Sequence, residues 1–348
     1  MAENINSTGP NDHSTLDYDY ETEICNKTSI IKFGEIFTPV FFSIVVILSL
    51  FGNILVFAIL VKFENLRSLT NTFILNLAIS DLLFTTGLPF WAYYHMHGWD
   101  LGEEACKIVN FIFYLGFYSS SILLMLMTAH RYIAVMNPLS DIVSTTGSYS
   151  VIASVVIWVV SFLIASPAFI YTEVKDSNQC VFKDSKWTLW ATYKQNALFL
   201  LSSVVFIFCY SQIMCRLMRP TAQRRRHKTL KLIFTLMVVF FVEWVPYNVV
   251  IFLQSLYTFN EYGDDLDETC ERHKRLDYAL AFSRLFAYSH CCLNPVFYVF
   301  VGVKFKNHLK KMLKSLGRRS SRNSSCSTSS RPNRFTVISI TSGEEFSM

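Results

Sequence analysis

Apolar residues in this chain are gathered into long runs separated by short polar segments. The runs cover Ile36 to Val61, Leu69 to Tyr94, Ala105 to Met136, Val151 to Tyr171, Trp190 to Met218, Leu230 to Tyr257 and Leu276 to Val303. A hydrocarbon core of about 30 Å is crossed by about 20 helical residues, so each run is long enough to span a bilayer. Asp81 and Pro89 interrupt the second run, the third is mixed, and the seventh holds Arg284, Ser289, His290 and Asn294. Polar residues inside a span usually face the bundle interior or a water-filled cavity. The third and seventh helices are therefore expected to line a central site.

Charge then orients the spans. Basic residues of short loops stay on the cytoplasmic side. Arg216, Arg219, Arg224, Arg225, Arg226, Lys228 and Lys231 follow the fifth run. Lys304, Lys306, Lys310, Lys311, Lys314, Arg318 and Arg319 follow the seventh. Asp17, Asp19, Glu21 and Glu23 precede the first, and Glu261, Asp264, Asp265, Asp267 and Glu268 separate the sixth from the seventh. This places the N-terminus outside and the C-terminus inside. Met1 to Ile24 has neither a basic nor an apolar signal-peptide region, so the first span is expected to act as the insertion signal. Phe305, Leu309, Met312, Leu313 and Leu316 share one face of a segment whose other face carries lysines. Such a segment lies on an anionic inner leaflet, with membrane lipid as its partner.

The expected fold is an all-α integral membrane protein, a seven-transmembrane helix bundle with an amphipathic cytoplasmic eighth helix. Residues 1–35 form an extracellular acidic arm, 36–303 the seven-span domain, 304–316 the membrane-surface helix and 317–348 a cytoplasmic tail of disordered composition. Composition agrees: 52% of the 348 residues are apolar and 16% charged, against about a quarter charged in soluble domains.

Chemistry outside the membrane follows from this topology. Cys25, Cys106, Cys180 and Cys270 all fall in the oxidising compartment. Four cysteines allow three pairings; Cys106–Cys180 with Cys25–Cys270 is one of them. Asn6 and Asn26 head glycosylation sequons in the outer arm, whereas the sequon at Asn323 falls inside. Tyr18 and Tyr20 stand among Asp17, Asp19 and Glu21. As an acidic arm, and more so if the tyrosines are sulfated, this segment attracts a basic protein ligand. An enzyme is not expected. His95 and His97 alone make no metal site, and no nucleophile and base are set with a supporting third group.

The order of motifs along the seven runs resembles that of rhodopsin-like receptors. Gly52-Asn53 lies in the first run, Leu77-Ala78-Ile79-Ser80-Asp81 in the second, Trp158 in the fourth and Tyr210 in the fifth. Phe240, Trp244 and Pro246 lie in the sixth, and Asn294-Pro295-Val296-Phe297-Tyr298 in the seventh. The resemblance implies a sodium and water site at Asp81 with Asn53, Ser120 and Asn294 around it, and no other cofactor. It also implies an activation switch of Phe240, Trp244, Pro246, Asn294 and Pro295. Pro246 and Pro295 remove backbone hydrogen bonds and permit kinks. Trp99-Asp100-Leu101-Gly102 before Cys106, and Ser289-His290-Cys291-Cys292-Leu293-Asn294-Pro295, resemble the chemokine-receptor branch. In that branch Trp91, Tyr93, Phe113, Tyr114, Tyr247 and Arg284 would line an outer ligand pocket, assisted by Tyr18, Tyr20, Asp17 and Asp19. Arg131, Leu139, Tyr210 and Tyr298 would couple to an inhibitory heterotrimeric G protein. Ser320, Ser321, Ser324, Ser325, Ser327, Thr328, Ser329 and Ser330 would be phosphorylated by receptor kinases and read by arrestin.

Departures from the family pattern matter as much. The usual Asp-Arg-Tyr is His130-Arg131-Tyr132, so the carboxylate that would hold Arg131 is missing. Glu243 replaces the cysteine before Trp244, and Gly87-Leu88-Pro89 stands for Thr-x-Pro. Ser202 occupies the fifth-helix proline position. Arg284 stands where these receptors commonly carry Glu. His130-Arg131-Tyr132, Arg284 and Val301-Gly302-Val303-Lys304-Phe305 are similar to the XC type, which binds the lymphotactin class. The expected function is that of a plasma-membrane chemokine receptor activating inhibitory G proteins, with calcium signalling and chemotaxis as outputs. The altered triplet keeps open a scavenger that internalises ligand without coupling. A transporter would show internal repeats, and none is visible. No nucleic-acid partner is expected.

Overall fold

A computed structural model describes residues 28–137, 148–175, 178–217, 226–257, 266–301 and 305–312. The helices are α1 (Thr28–Phe63), α2 (Leu69–His97), α3 (Glu103–Met136), α4 (Ser148–Ile170), α5 (Ser185–Leu217), α6 (Arg226–Tyr257), α7 (Leu266–Tyr288) and α8 (His290–Val301). Strands β1 (Thr172–Lys175) and β2 (Gln179–Phe182) form an antiparallel hairpin between α4 and α5, with Val174 opposite Cys180. The sequence reading did not anticipate this hairpin. The chain divides into two units, the second beginning at Asn307. A helix over 305–312, here α9, crosses that division and is described by itself. It exposes Lys306, Lys310 and Lys311 while Leu309 and Met312 are half-buried.

Each of α1 to α6 contains a stretch long and apolar enough to cross a bilayer. Their outward faces are apolar as well. Ile47, Phe51, Val151, Val155, Leu163, Leu200, Val204 and Ile207 are all exposed, Val204 by 65%. A soluble domain that presented such faces to water would aggregate; in lipid they cost nothing. The polar groups turn inward instead. Ser49, Asn53, Ser80, Asp81, Ser119, Ser120, Glu243, Asn248 and Asn294 are all buried.

α2 packs between α1 and α3, α4 and α5 lie against α3, and α6 joins α5 to α7 and α8. α1 is longer than its apolar run because its first turns have a partner. Phe33 stacks on Phe37 and meets Tyr278 and Phe282 of α7 at ring distances of 6.2 and 5.0 Å. Close approach of α2 and α3 depends on Gly116, where a Cβ would lie 2.5 Å from the Phe84 nitrogen and 2.8 Å from the Ser80 carbonyl oxygen.

The seventh apolar run is two helices rather than one, broken at Ser289. Proline at 295 has no N–H, which frees the carbonyl of residue 291 four positions earlier. That carbonyl is not left bare. Asn53 Nδ2 donates to it at 2.8 Å and Ser49 Oγ at 3.3 Å, both from α1.

Candidate functional site

The hairpin end of the bundle is built around a disulfide. Cys106 at the start of α3 is bonded to Cys180 of β2. Trp99, Cys106, Val109 and Cys180 form a small buried cluster beneath it. The Trp99 Nε1 donates to the Gly102 carbonyl at 2.8 Å, and its backbone N–H to Asn178 at 2.7 Å. The Trp-Asp-Leu-Gly segment is thus a clamp that seats the hairpin on α3. Cys270 is also disulfide-bonded and buried; its expected partner Cys25 lies outside the described residues.

Below the hairpin, aromatic rings from four helices meet. Phe113 is the hub, with Phe84 at 4.4 Å, Tyr288 at 5.1 Å, Tyr114 at 5.8 Å and Trp91 at 6.1 Å. Tyr247 closes the group against Tyr288 at 6.1 Å. Arg284, half-buried on α7, acts electrostatically on Tyr114, Tyr288 and His95. Of the pocket residues expected from the sequence, Trp91, Phe113, Tyr114, Tyr247 and Arg284 come together. Tyr93 stands apart: it stacks on His97 at 4.7 Å and donates its hydroxyl hydrogen to Asp100 at 2.8 Å. Tyr288 was missed, although its place one turn from Arg284 and next to the seventh-helix motif was a usable signal.

Midway along the bundle, Asp81 is fully buried. Ser120 Oγ donates to its Oδ1 at 2.9 Å and Asn294 Nδ2 to its Oδ2 at 2.9 Å. Asn53 does not touch it. Asn53 binds Ser49, whose Oγ lies 2.6 Å from Thr85 Oγ1, and Thr85 in turn donates to the Asp81 carbonyl oxygen. Asn53 is therefore a strap between α1 and α8 that reaches Asp81 through two hydroxyls.

The unexpected member of this cluster is His290. Its Nδ1 lies 2.8 Å from the Ala287 carbonyl, which only accepts, so Nδ1 carries the hydrogen. In the neutral ring Nε2 is then a bare acceptor, buried without a partner, 3.9 Å from Asp81 Oδ1. Two acceptors facing each other across this gap suit a small cation or a water between them. Asp81, Ser120 and Asn294 of the sodium site expected from the sequence stand together here with His290, and Asn53, also expected there, stands apart. Glu243, also buried, receives a hydrogen bond from Ser289 Oγ at 3.4 Å.

Trp244 connects the two regions. Its ring lies 4.8 Å from Phe117, 5.1 Å from His290, 6.0 Å from Tyr247 and 6.2 Å from Phe240. Pro246 lies within α6 two residues further on.

At the end opposite the hairpin, Arg131 forms no ion pair among the described residues, and its Nε is buried without a hydrogen-bond partner. His130 Nδ1 is likewise unpartnered, with the ring edge-on to Phe73 at 6.3 Å. Tyr132 packs on Phe208, Tyr210 stacks on Phe234 at 4.6 Å, and Arg216 donates to the Met136 carbonyl at 2.7 Å. Trp158 Nε1 donates to Asn76, tying α4 to α2. Pro295 and the backbone of Tyr298 lie in α8. Leu139, Asp17, Tyr18, Asp19, Tyr20, Asn6, Asn26 and the tail cluster Ser320 to Ser330 lie outside the described residues.

Residues 52–298 match the model of the 7 transmembrane receptor (rhodopsin) family. The chain is 42% identical to human Chemokine XC receptor 1 over 308 residues, covering 88% of this chain and 90% of that receptor. It is 40% identical to the mouse Chemokine XC receptor 1 over 311 residues, 87% of this chain and 91% of the other. It is 36% identical to the guinea pig C-C chemokine receptor type 3 over 310 residues, 86% and 85% of the two chains.

Proposed function

This chain belongs to the rhodopsin family of seven-transmembrane receptors and, within it, to the chemokine receptors, and from that membership we propose that it binds a small basic chemokine of the XC, lymphotactin type and activates an inhibitory heterotrimeric G protein. It is a multi-pass membrane protein and a receptor rather than an enzyme. In the proposed orientation it lies in the plasma membrane with the hairpin end and acidic arm outside and the C-terminus inside. The chemokine body docks on the arm through Asp17, Tyr18, Asp19 and Tyr20. Its N-terminal segment enters the pocket bounded by Trp91, Phe113, Tyr114, Tyr247 and Arg284.

The observation that carries this reading is the unbroken ring-to-ring path from that pocket to the buried polar cluster. Phe113 meets Tyr288, Tyr288 meets Tyr247, Tyr247 meets Trp244, and Trp244 meets His290 beside Asp81. Pressure on the outer rings therefore reaches the place where α6, α8 and α2 meet. A close-packed path of this kind shifts between discrete arrangements rather than deforming smoothly. Asp81, Ser120, Asn294 and His290 would hold the sodium ion, whose positive charge offsets the buried carboxylate and favours the resting arrangement. On ligand entry α6 swings about Trp244 and Pro246, Tyr210 and Tyr298 turn inward, and Arg131 meets the Gα C-terminus beside Leu139. Receptor kinases then modify the Ser320 to Ser330 cluster for arrestin, while α9 rests on the inner leaflet. Calcium signalling and chemotaxis follow.

The ligand can move the equilibrium only by its preference for the active arrangement. The test is a chemokine panel that includes a lymphotactin-type ligand, applied to cells expressing the receptor. Nucleotide exchange on inhibitory Gα is read beside ligand uptake. Exchange driven by the lymphotactin type alone is the expected result. Arg131, without an ion pair among the described residues and next to His130, favours one second reading, a scavenger, which uptake without exchange would establish instead.

A further inference from the structure

Two cations toward the hairpin end of the bundle have partners. Lys194 of α5 donates to the Ile164 carbonyl at 2.8 Å and lies over the rings of Trp190 and Tyr118 at 4.1 and 4.7 Å. Lys107 pairs with Glu103 at 2.5 Å and with Glu104 at 3.5 Å. Arg284 is treated differently. It is half-buried on the inner face of α7, yet it makes no hydrogen bond or ion pair among the described residues. Four carboxylates of the same end are committed elsewhere. Asp100 accepts from Tyr93, Asp277 accepts from Gln254, and Glu103 and Glu104 hold Lys107.

A guanidinium withdrawn from water without a counter-charge is costly. Its five N–H donors in a planar fork match a carboxylate through two parallel hydrogen bonds. Around it stand aromatic groups that offer contact area and no negative charge: Tyr114, Tyr288 and His95 within its field, with Phe113 and Trp91 behind. An amine entering this space would meet a like charge. A carboxylate would meet a cation that makes no hydrogen bond or ion pair among the described residues.

We propose that Arg284 is the recognition point for an acidic side chain near the tip of the ligand segment that enters the pocket. This inference rests on the chemokine-receptor reading above. It requires a ligand with segregated charge: a basic body for the acidic arm, and an Asp or Glu in the inserted segment for Arg284. Specificity then works by rejection as well as attraction, because a ligand with a cationic tip is repelled.

The test uses the full-length receptor in lipid nanodiscs. The probes are synthetic ten-residue peptides taken from the N-terminal segments of the chemokine panel. Each acidic peptide is paired with a twin whose Asp and Glu are replaced by their amides. Loss of a charged two-pronged hydrogen bond should weaken binding about ten- to a hundredfold. Acidic peptides should therefore bind that much more tightly than their twins. Arg284→Gln should abolish the difference, Arg284→Lys should keep part of it, and Arg284→Glu should prefer a twin carrying Lys. Equal binding of acidic and amide peptides to the wild type overturns the proposal, and that comparison needs no variant. So does discrimination that survives Arg284→Gln, or no binding of any acidic peptide at millimolar concentration. Chemokine-stimulated exchange, run in parallel, separates the two readings. Exchange without acid preference overturns the Arg284 assignment alone. Acid preference without exchange by any chemokine leaves that assignment standing and removes the signalling reading.

Discussion

Adding one methyl group at different glycines should separate the contacts that set this bundle from those that do not. Alanine is favoured over glycine in a helix interior by about 1 kcal/mol. Gly34 has a single neighbour for an added Cβ, His95 Cδ2 at 3.8 Å, so Gly34→Ala should keep most of that gain. At Gly116 the Cβ would meet the Phe84 nitrogen at 2.5 Å, the Ser80 oxygen at 2.8 Å and the Phe84 Cα at 2.9 Å. All three are backbone atoms of α2 and cannot rotate away. Relief to an ordinary contact of about 3.5 Å requires α2 and α3 to part by about 1 Å. Overpacking of this kind costs about 1–3 kcal/mol. The same displacement stretches the 2.9 Å bond from Ser120, one turn beyond Gly116, to Asp81. A hydrogen bond to a charged group contributes about 1.5–3 kcal/mol. Net of the alanine gain, Gly116→Ala should destabilise by roughly 2–5 kcal/mol. Gly52, whose added Cβ would lie 2.8 Å from the Pro295 ring, should fall between the two. The assay is the melting midpoint of the ligand-free receptor in one detergent, followed by tryptophan fluorescence. At roughly 1–3 °C per kcal/mol for a chain of this size, Gly116→Ala should melt several degrees below the wild type and Gly34→Ala at or slightly above it. Equal midpoints for these two variants would falsify the contact argument.

Three further outcomes follow from particular groups. His130→Asp gives the unpartnered Arg131 a carboxylate beside it and should lower basal nucleotide exchange in matched membranes; unchanged exchange would mean that Arg131 is restrained by something else. Asp81→Asn removes the buried carboxyl group that faces His290 Nε2, so any suppression of basal exchange by sodium should disappear, whereas sodium dependence equal to wild type would exclude Asp81 as the site. Asn53→Ala leaves the Cys291 carbonyl with only the longer Ser49 contact at 3.3 Å and should cost about 1–3 kcal/mol, read as a lower melting midpoint; no change would show that water replaces the amide.

The seven spans and their polar interruptions were legible in the sequence because a bilayer imposes one simple rule, a run of about 20 apolar residues. Arg131 without a carboxylate was legible too, since His130 is adjacent in the chain. Cys106 and Cys180 could be assigned to one compartment, but their bond depends on where β2 folds back over α3. Helix ends were less legible, because α1 owes its extra turns to Phe33 meeting Tyr278 and Phe282, residues more than two hundred positions away.

What the sequence determined by itself was therefore what depends on neighbours along the chain: which segments enter the membrane, which loops carry charge, and where proline frees a carbonyl. The tertiary structure alone decided which groups answer those local features. It brought Asn53 to the carbonyl freed by Pro295, and His290 to Asp81 across 3.9 Å. It drew Tyr288 into the ring cluster around Phe113, left Tyr93 outside it, and gave Arg284 no carboxylate partner among the described residues. Hydrogen-bond and charge partners are fixed by distances of a few ångströms between helices, and no periodicity within one helix encodes those distances.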